Sequence, residues 1–107
     1  MADYMTETEF NELADAVFKR IEQGVDNSGA DIECGLNGPV LELEFEDGAK
    51  IIINRHTPNR EIWLAAKSGG FHYAFDNGRW FSHRDGSELF AKLGELVRLG
   101  CGAAPTF

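Results

Sequence analysis

Between residues 31 and 82 the chain falls into six short runs of alternating character: Asp31–Leu36, Val40–Phe45, Lys50–Arg55, Glu61–Ala66, Phe71–Asp76 and Arg79–Ser82. Three of the joints are Asn37-Gly38, Asp47-Gly48 and Asn77-Gly78, and a fourth is Ser68-Gly69-Gly70. Asn-Gly and Asp-Gly readily adopt the positive φ angles that two-residue hairpins require. Strands joined this tightly pair as antiparallel neighbours, because a parallel crossover needs about a dozen residues or more. The pattern predicts a meander. Its one looser connection is the "HTPN" stretch at 56–59, where Pro58 breaks any continuing strand.

Alternation also assigns the faces. Ile32, Cys34 and Leu36 share one side, as do Leu41, Leu43 and Phe45, then Ile51 and Ile53, then Phe71, Tyr73 and Phe75. Cys34 is therefore expected to fill the core, and Trp80 to sit at its edge. Two helices are available to cover that face. Residues 6–26 repeat apolar side chains at helical spacing (Phe10, Leu13, Ala14, Val17, Phe18, Ile21, Val25), and Thr6-x-x-Glu9 is a capping box, with Thr8 as an alternative cap. A second helix is expected over about Ser87–Leu99, capped by Ser87 or Asp85 and stopped by Gly100. The economical arrangement is an α+β two-layer sandwich, with the N- and C-terminal helices on one face of a six-stranded antiparallel sheet. At 107 residues this is one domain, with 1–5 and 101–107 expected to be flexible unless Phe107 docks.

Charge narrows the function. Residues 1–47 hold thirteen Asp or Glu against two Lys or Arg; residues 48–107 hold five against eight. Phosphates need a basic footprint, so nucleic acid is not expected as a partner of the acidic half. Cations or a basic protein surface are. No apolar run approaches the roughly 20 residues of a membrane helix. The N-terminus "MADYMTETEF" is acidic and polar, unlike a secretory or transit signal, so a cytoplasmic protein is expected. Cys34 and Cys101 read as two free thiols.

Two constellations stand out. At about 100° per residue, Glu7, Asp15, Glu22 and Asp26 fall within one sector of the first helix, which is about 100° wide. The stripe continues to Asp31 and Glu33, and Glu42 and Glu44 also point away from the dry face. A solvated helix face is the ordinary explanation of such a stripe. Here, however, i,i+4 lysines do not neutralise the stripe (Lys19, four residues after Asp15, is its one such base), and the repulsion costs stability unless a cation or basic surface offsets it. Oxygen-only ligands suit hard cations, and ligands strung along a surface bind weakly. The second constellation is on the wet face of the sheet. Trp63 lies there among Ile52, Asn54, Ala65, Lys67, His72 and Ala74. A tryptophan in the open commonly marks a protein contact, although it can also merely shield the sheet. The chain shows no catalytic triad, activated nucleophile, phosphate-binding glycine loop, EF-hand or Cys/His zinc spacing.

The blocks "TEFNELAD", "DIECGLNGPVLELEFEDGAKIIINR" and "IWLAAKSGGFHYAF", closed by a helix, resemble the bacterial frataxins of the CyaY type over nearly the whole chain. The resemblance implies the same sandwich. It implies a non-enzymatic, iron-binding regulator or adaptor of iron–sulfur cluster assembly that binds the cysteine desulfurase and its scaffold protein. It also implies weak surface binding of ferrous and ferric iron on Glu7, Asp15, Glu22, Asp26, Asp31 and Glu33. The partner surface it implies includes Asn54 and Trp63, with Ile52, Lys67, His72, Glu42 and Glu44 around them. Asn11 stands where related first helices carry histidine, and Gln23 where they carry an acid. A monomer is expected, with iron-dependent oligomers. A ferroxidase or iron store, and a metal-independent protein-binding module, are the competing readings.

Overall fold

The computed structural model describes residues 5–103 and 105–107. Helix α1 spans Glu7–Ser28. The strands β1 (Ile32–Asn37), β2 (Val40–Phe45), β3 (Lys50–His56), β4 (Glu61–Ala66), β5 (Gly69–Asp76) and β6 (Arg79–Phe81) follow, and helix α2 (Leu89–Cys101) closes the chain. The six strands form one antiparallel sheet in sequence order, as the hairpin joints require. Both helices lie on one face, and the fold is the α+β sandwich that alternation predicts. Its core joins Phe10, Ala14, Val17, Phe18, Ile21 and Val25 of α1 to Leu41, Leu43, Ile51, Ile53, Ile62, Leu64 and Tyr73 of the sheet, with Leu89, Leu93, Leu96 and Val97 from α2. Trp80 is buried at the core's edge against Phe10 and Phe75. Among the described residues no helix is long and apolar enough to cross a membrane.

The helix ends show which signals operate. Thr6 caps α1 in a reciprocal box: its hydroxyl accepts from Glu9 N at 3.1 Å, and its own N–H donates to Glu9 Oε1 at 2.9 Å. Helix α1 runs two residues past the expected end, to a left-handed cap at Gly29. The cap of α2 is Glu88, which accepts from Ala91 N, rather than Ser87 or Asp85. Those two are spent on the preceding turn, where Ser87 donates to Asp85 and shares a hydrogen bond with Tyr73 Oη. Gly100 does not stop α2 either; the helix passes through it to a left-handed cap at Gly102. At Gly100 the helix instead lies against Phe45, so closely that a Cβ would stand 2.4 Å from the ring.

One expectation about burial needs correction. Cys34 and Leu36 face the predicted side but are exposed, Leu36 by 58%. They belong to β1, an edge strand, and Cys34 opens into a groove between β1 and α1 instead of lying under the helix. At the end of the chain Phe107 docks, the exception allowed for residues 101–107. Cys101 completes α2, and Phe107 packs on α1 over Gly24, with its main-chain oxygen accepting from Arg20 Nη2 at 2.8 Å. Residues 1–4, also expected to be flexible, lie outside the described residues; Met5 packs against the core.

Candidate functional site

The antiparallel register fixes which wet-face residues are neighbours. One row crosses the sheet as Val40, Asn54, Trp63 and His72; the next as Gly35, Glu42, Ile52, Ala65 and Gly70. A third pairs Glu33 with Glu44 and then Lys50. Trp63 thus stands between Asn54 and His72 at the centre of the face. Lys67 is not part of this group. It falls in the turn between β4 and β5 and lines a groove at the end of the sandwich with Phe45, Leu96 and Leu99.

Sequence reasoning missed the side chains that hold Trp63. Strand β3 continues to His56, whose imidazole stacks on the indole with ring centroids 4.0 Å apart and planes 5° from parallel. His72 stacks on the other indole face at 4.3 Å, also at 5°. Glu61 Oε1 accepts from Trp63 Nε1 at 2.8 Å and lies 3.9 Å from His72 Nδ1. Pro58 suggested that the strand had ended before His56. The parity of β3 continues one step further, and that was the available signal.

The acidic residues separate into groups. Asp15 is not a free ligand: Arg55 Nη1 meets its Oδ1 at 2.7 Å, with the guanidinium laid over Phe18. Glu42 is paired with Lys50 at 3.5 Å. Among the described residues Glu7, Glu22, Asp26, Asp31 and Glu33 have no ion-pair partner. Glu22 and Asp26 line a groove between the end of α1 and β1, together with Gln23, Ile32 and Cys34. Glu33, Glu42 and Glu44 line a shallow depression on the other side of the same edge. Burial pushes the Cys34 thiol up from its ordinary value, and the Glu22 charge adds to the effect.

The donors along this edge are carboxylate oxygens, which fit hard cations. Among the described residues no three His, Cys, Asp or Glu side chains are grouped to hold a metal ion. By helical rise Glu7 and Asp26 are about 28 Å apart, so one ion cannot meet both. The edge offers a row of separate open carboxylates rather than a closed cage.

The frataxin-like domain is the family model that matches, over residues 3–103. The chain belongs to the frataxin-like family. It is 48% identical over 100 residues to an "Iron-sulfur cluster assembly protein CyaY" of Neisseria meningitidis serogroup B, covering 94% of each chain. Its fold matches the solved frataxin from Psychromonas ingrahamii with a TM-score of 0.90 at 38% identity, covering 94% of this chain and 96% of that one. A trimeric frataxin from the yeast Saccharomyces cerevisiae, complexed with ferrous iron, matches with a TM-score of 0.68 at 28% identity, over 95% and 91% of the two chains.

Proposed function

We propose that this frataxin-like protein serves iron–sulfur cluster assembly as a non-catalytic, iron-binding adaptor, docking on a cysteine desulfurase and its scaffold. The observation that carries the reading is the unneutralised edge formed by Glu22, Asp26, Asp31 and Glu33 beside a sheet face centred on Trp63. The name of its Neisseria relative supplies the process. The yeast relative's complex supplies the metal. Like charges at i,i+4, as at Glu22 and Asp26, destabilise a helix unless something cationic arrives. Ferrous iron and a basic partner surface both answer that description. Open carboxylates release an ion easily, which suits a carrier or sensor better than a store. Glu33 and Glu42 carry the acidic edge onto the wet sheet face that also holds Trp63, so a partner on that face can meet both.

The test is an anaerobic titration with ferrous iron followed by addition of the purified desulfurase. Paramagnetic broadening should begin at amides of Glu22, Asp26, Asp31 and Glu33 and spare the Trp63 row. The desulfurase should then shift both. Broadening centred elsewhere, or a desulfurase that leaves both surfaces unmoved, defeats the reading.

A further inference from the structure

The last turns of α1 are the part of that helix which its own sequence supports least. Gly24 lies inside the helix, where only proline is a poorer choice. Glu22 and Asp26 are like charges four residues apart, near the helix end whose dipole disfavours anions. The last turn holds no basic residue. Support comes instead from far along the chain. Phe107 packs over Gly24, where a Cβ would stand 2.5 Å from the ring and 3.0 Å from the main-chain oxygen of Thr106. Arg20, one turn earlier, donates from Nη2 to the main-chain oxygen of Phe107 at 2.8 Å. The same guanidinium lies over the Phe90 ring of α2, 3.9 Å from its centroid. The glycine that weakens the helix is therefore also the seat of the ring that covers it. By helical geometry Gly24 is about 200° around the axis from both Glu22 and Asp26. Phe107 thus holds the turn from behind, and both carboxylates stay exposed.

We propose that Phe107 is a strap: docked on Gly24 it keeps the last turns of α1 wound, and through them it sets the affinity of Glu22 and Asp26 for a dication. For iron, the inference rests on the reading of the acidic edge as an iron-binding surface. Release of the strap lets the turn fray, and the two carboxylates then move apart and lose their repulsion without a cation. A dication beside both favours the wound turn, and the wound turn is the seat of Phe107. Strap and cation bias one two-state element in the same direction, so each strengthens the other by the same factor.

The experiment compares wild type with Phe107→Ala, Gly24→Ala and the double variant. Amide hydrogen exchange is read by NMR in the metal-free protein. Ferrous iron is then titrated anaerobically and followed by broadening at the amides of Glu22 and Asp26. Phe107→Ala should speed exchange of amides 24–28 about tenfold and leave residues 10–18 and the sheet unchanged. It should also weaken ferrous binding about fivefold. In a Gly24→Ala chain the added methyl already displaces the ring, so Phe107→Ala should change neither readout further. Exchange that speeds up evenly over both helices and the sheet would overturn the strap and leave Phe107 as a general support of the fold. Amides 24–28 that stay as protected as in wild type would overturn it as well. Local fraying with unchanged iron affinity would overturn the link to the acidic edge. A wild type that binds no ferrous iron at Glu22 and Asp26 would defeat the iron reading and that link together, while the exchange pattern still decides the strap.

Discussion

Trp63 and Leu64 are neighbours in β4 that face opposite sides of the sheet, and their costs of truncation should differ accordingly. Leu64 is 1% exposed, so Leu64→Ala should cost about 2–5 kcal/mol in a urea titration. Trp63→Ala removes two ring stacks, each worth about 0.5–1.5 kcal/mol, and leaves no cavity in the core. Equal losses would mean that the register of β4 is wrong. Alternation made this pair legible from sequence, because parity alone assigns a face. Cys34 shows where parity ends: it has the right face but opens into a groove between β1 and α1 instead of lying under the helix, and coverage is a property of the other layer. Glu9 carries a separate prediction. Hydrogen bonding to Thr6, backbone first and side chain second, holds its carboxyl below the ordinary range. A carboxyl depressed in the folded state stabilises above its unfolded value, and that contribution is lost as pH falls through the folded one. Glu9→Gln should therefore lower the neutral plateau of a stability profile toward its acid value and so flatten the acid limb below about pH 4.3. An acid limb identical to wild type would count against the capping box as the source.

Among the elements, α2 offers a paired test of two glycines that look alike in sequence. Gly94 is inside the helix, and a Cβ there would meet nothing within 4 Å. Gly94→Ala should gain about 1 kcal/mol from helix propensity. Gly100 is also inside the helix, but a Cβ there would clash with Phe45 of β2. Overpacking of that kind costs about 1–3 kcal/mol and should outweigh the same gain in propensity. Chemical denaturation of the two variants should give shifts of opposite sign; stabilisation by both would show that α2 does not approach β2 this closely. The first helix, the hairpin joints and the order of strands could be read from the chain, because capping boxes, Asn-Gly turns and period-2 runs are local. The limits of β3 and α2 could not. His56 stays in the sheet because Glu61 of β4 pairs with it, despite Pro58 two residues on. Gly100 is a glycine inside the helix, where contact with Phe45 leaves no room for a larger residue, and the helix ends at Gly102 instead. The acidic stripe was legible as a stripe. Which of its members were free was not, since the ion pair from Arg55 to Asp15 joins residues forty positions apart.

On the scale of the molecule, the negative charge gathers along the α1–β1 edge, while Trp63 is held by two stacked imidazoles and by the Glu61 carboxylate. The two surfaces should leave different energetic signatures on docking to the desulfurase. Charges at a wet rim act mainly on the association rate and are screened over about 8 Å at physiological ionic strength, or about 3 Å at 1 M salt. Glu22→Gln combined with Asp26→Asn should thus slow association at low salt, and the difference from wild type should shrink as salt rises. The same variant should bind ferrous iron more weakly without losing stability, because it removes a like-charge pair from one helix turn. Trp63→Ala should behave in the opposite way. A desolvated tryptophan anchor commonly costs about 2 kcal/mol when truncated, roughly thirtyfold in affinity, through faster dissociation. Dispersion and apolar burial are not screened, so that loss should persist across the salt series. Stopped-flow association and dissociation rates at three salt concentrations, for wild type and both variants, separate the two contributions. If the carboxylate variant loses as much at high salt as at low, the acidic edge is desolvated within the interface rather than lying at its rim. If the Trp63→Ala loss fades with salt, the indole acts through the charges around it rather than as an anchor.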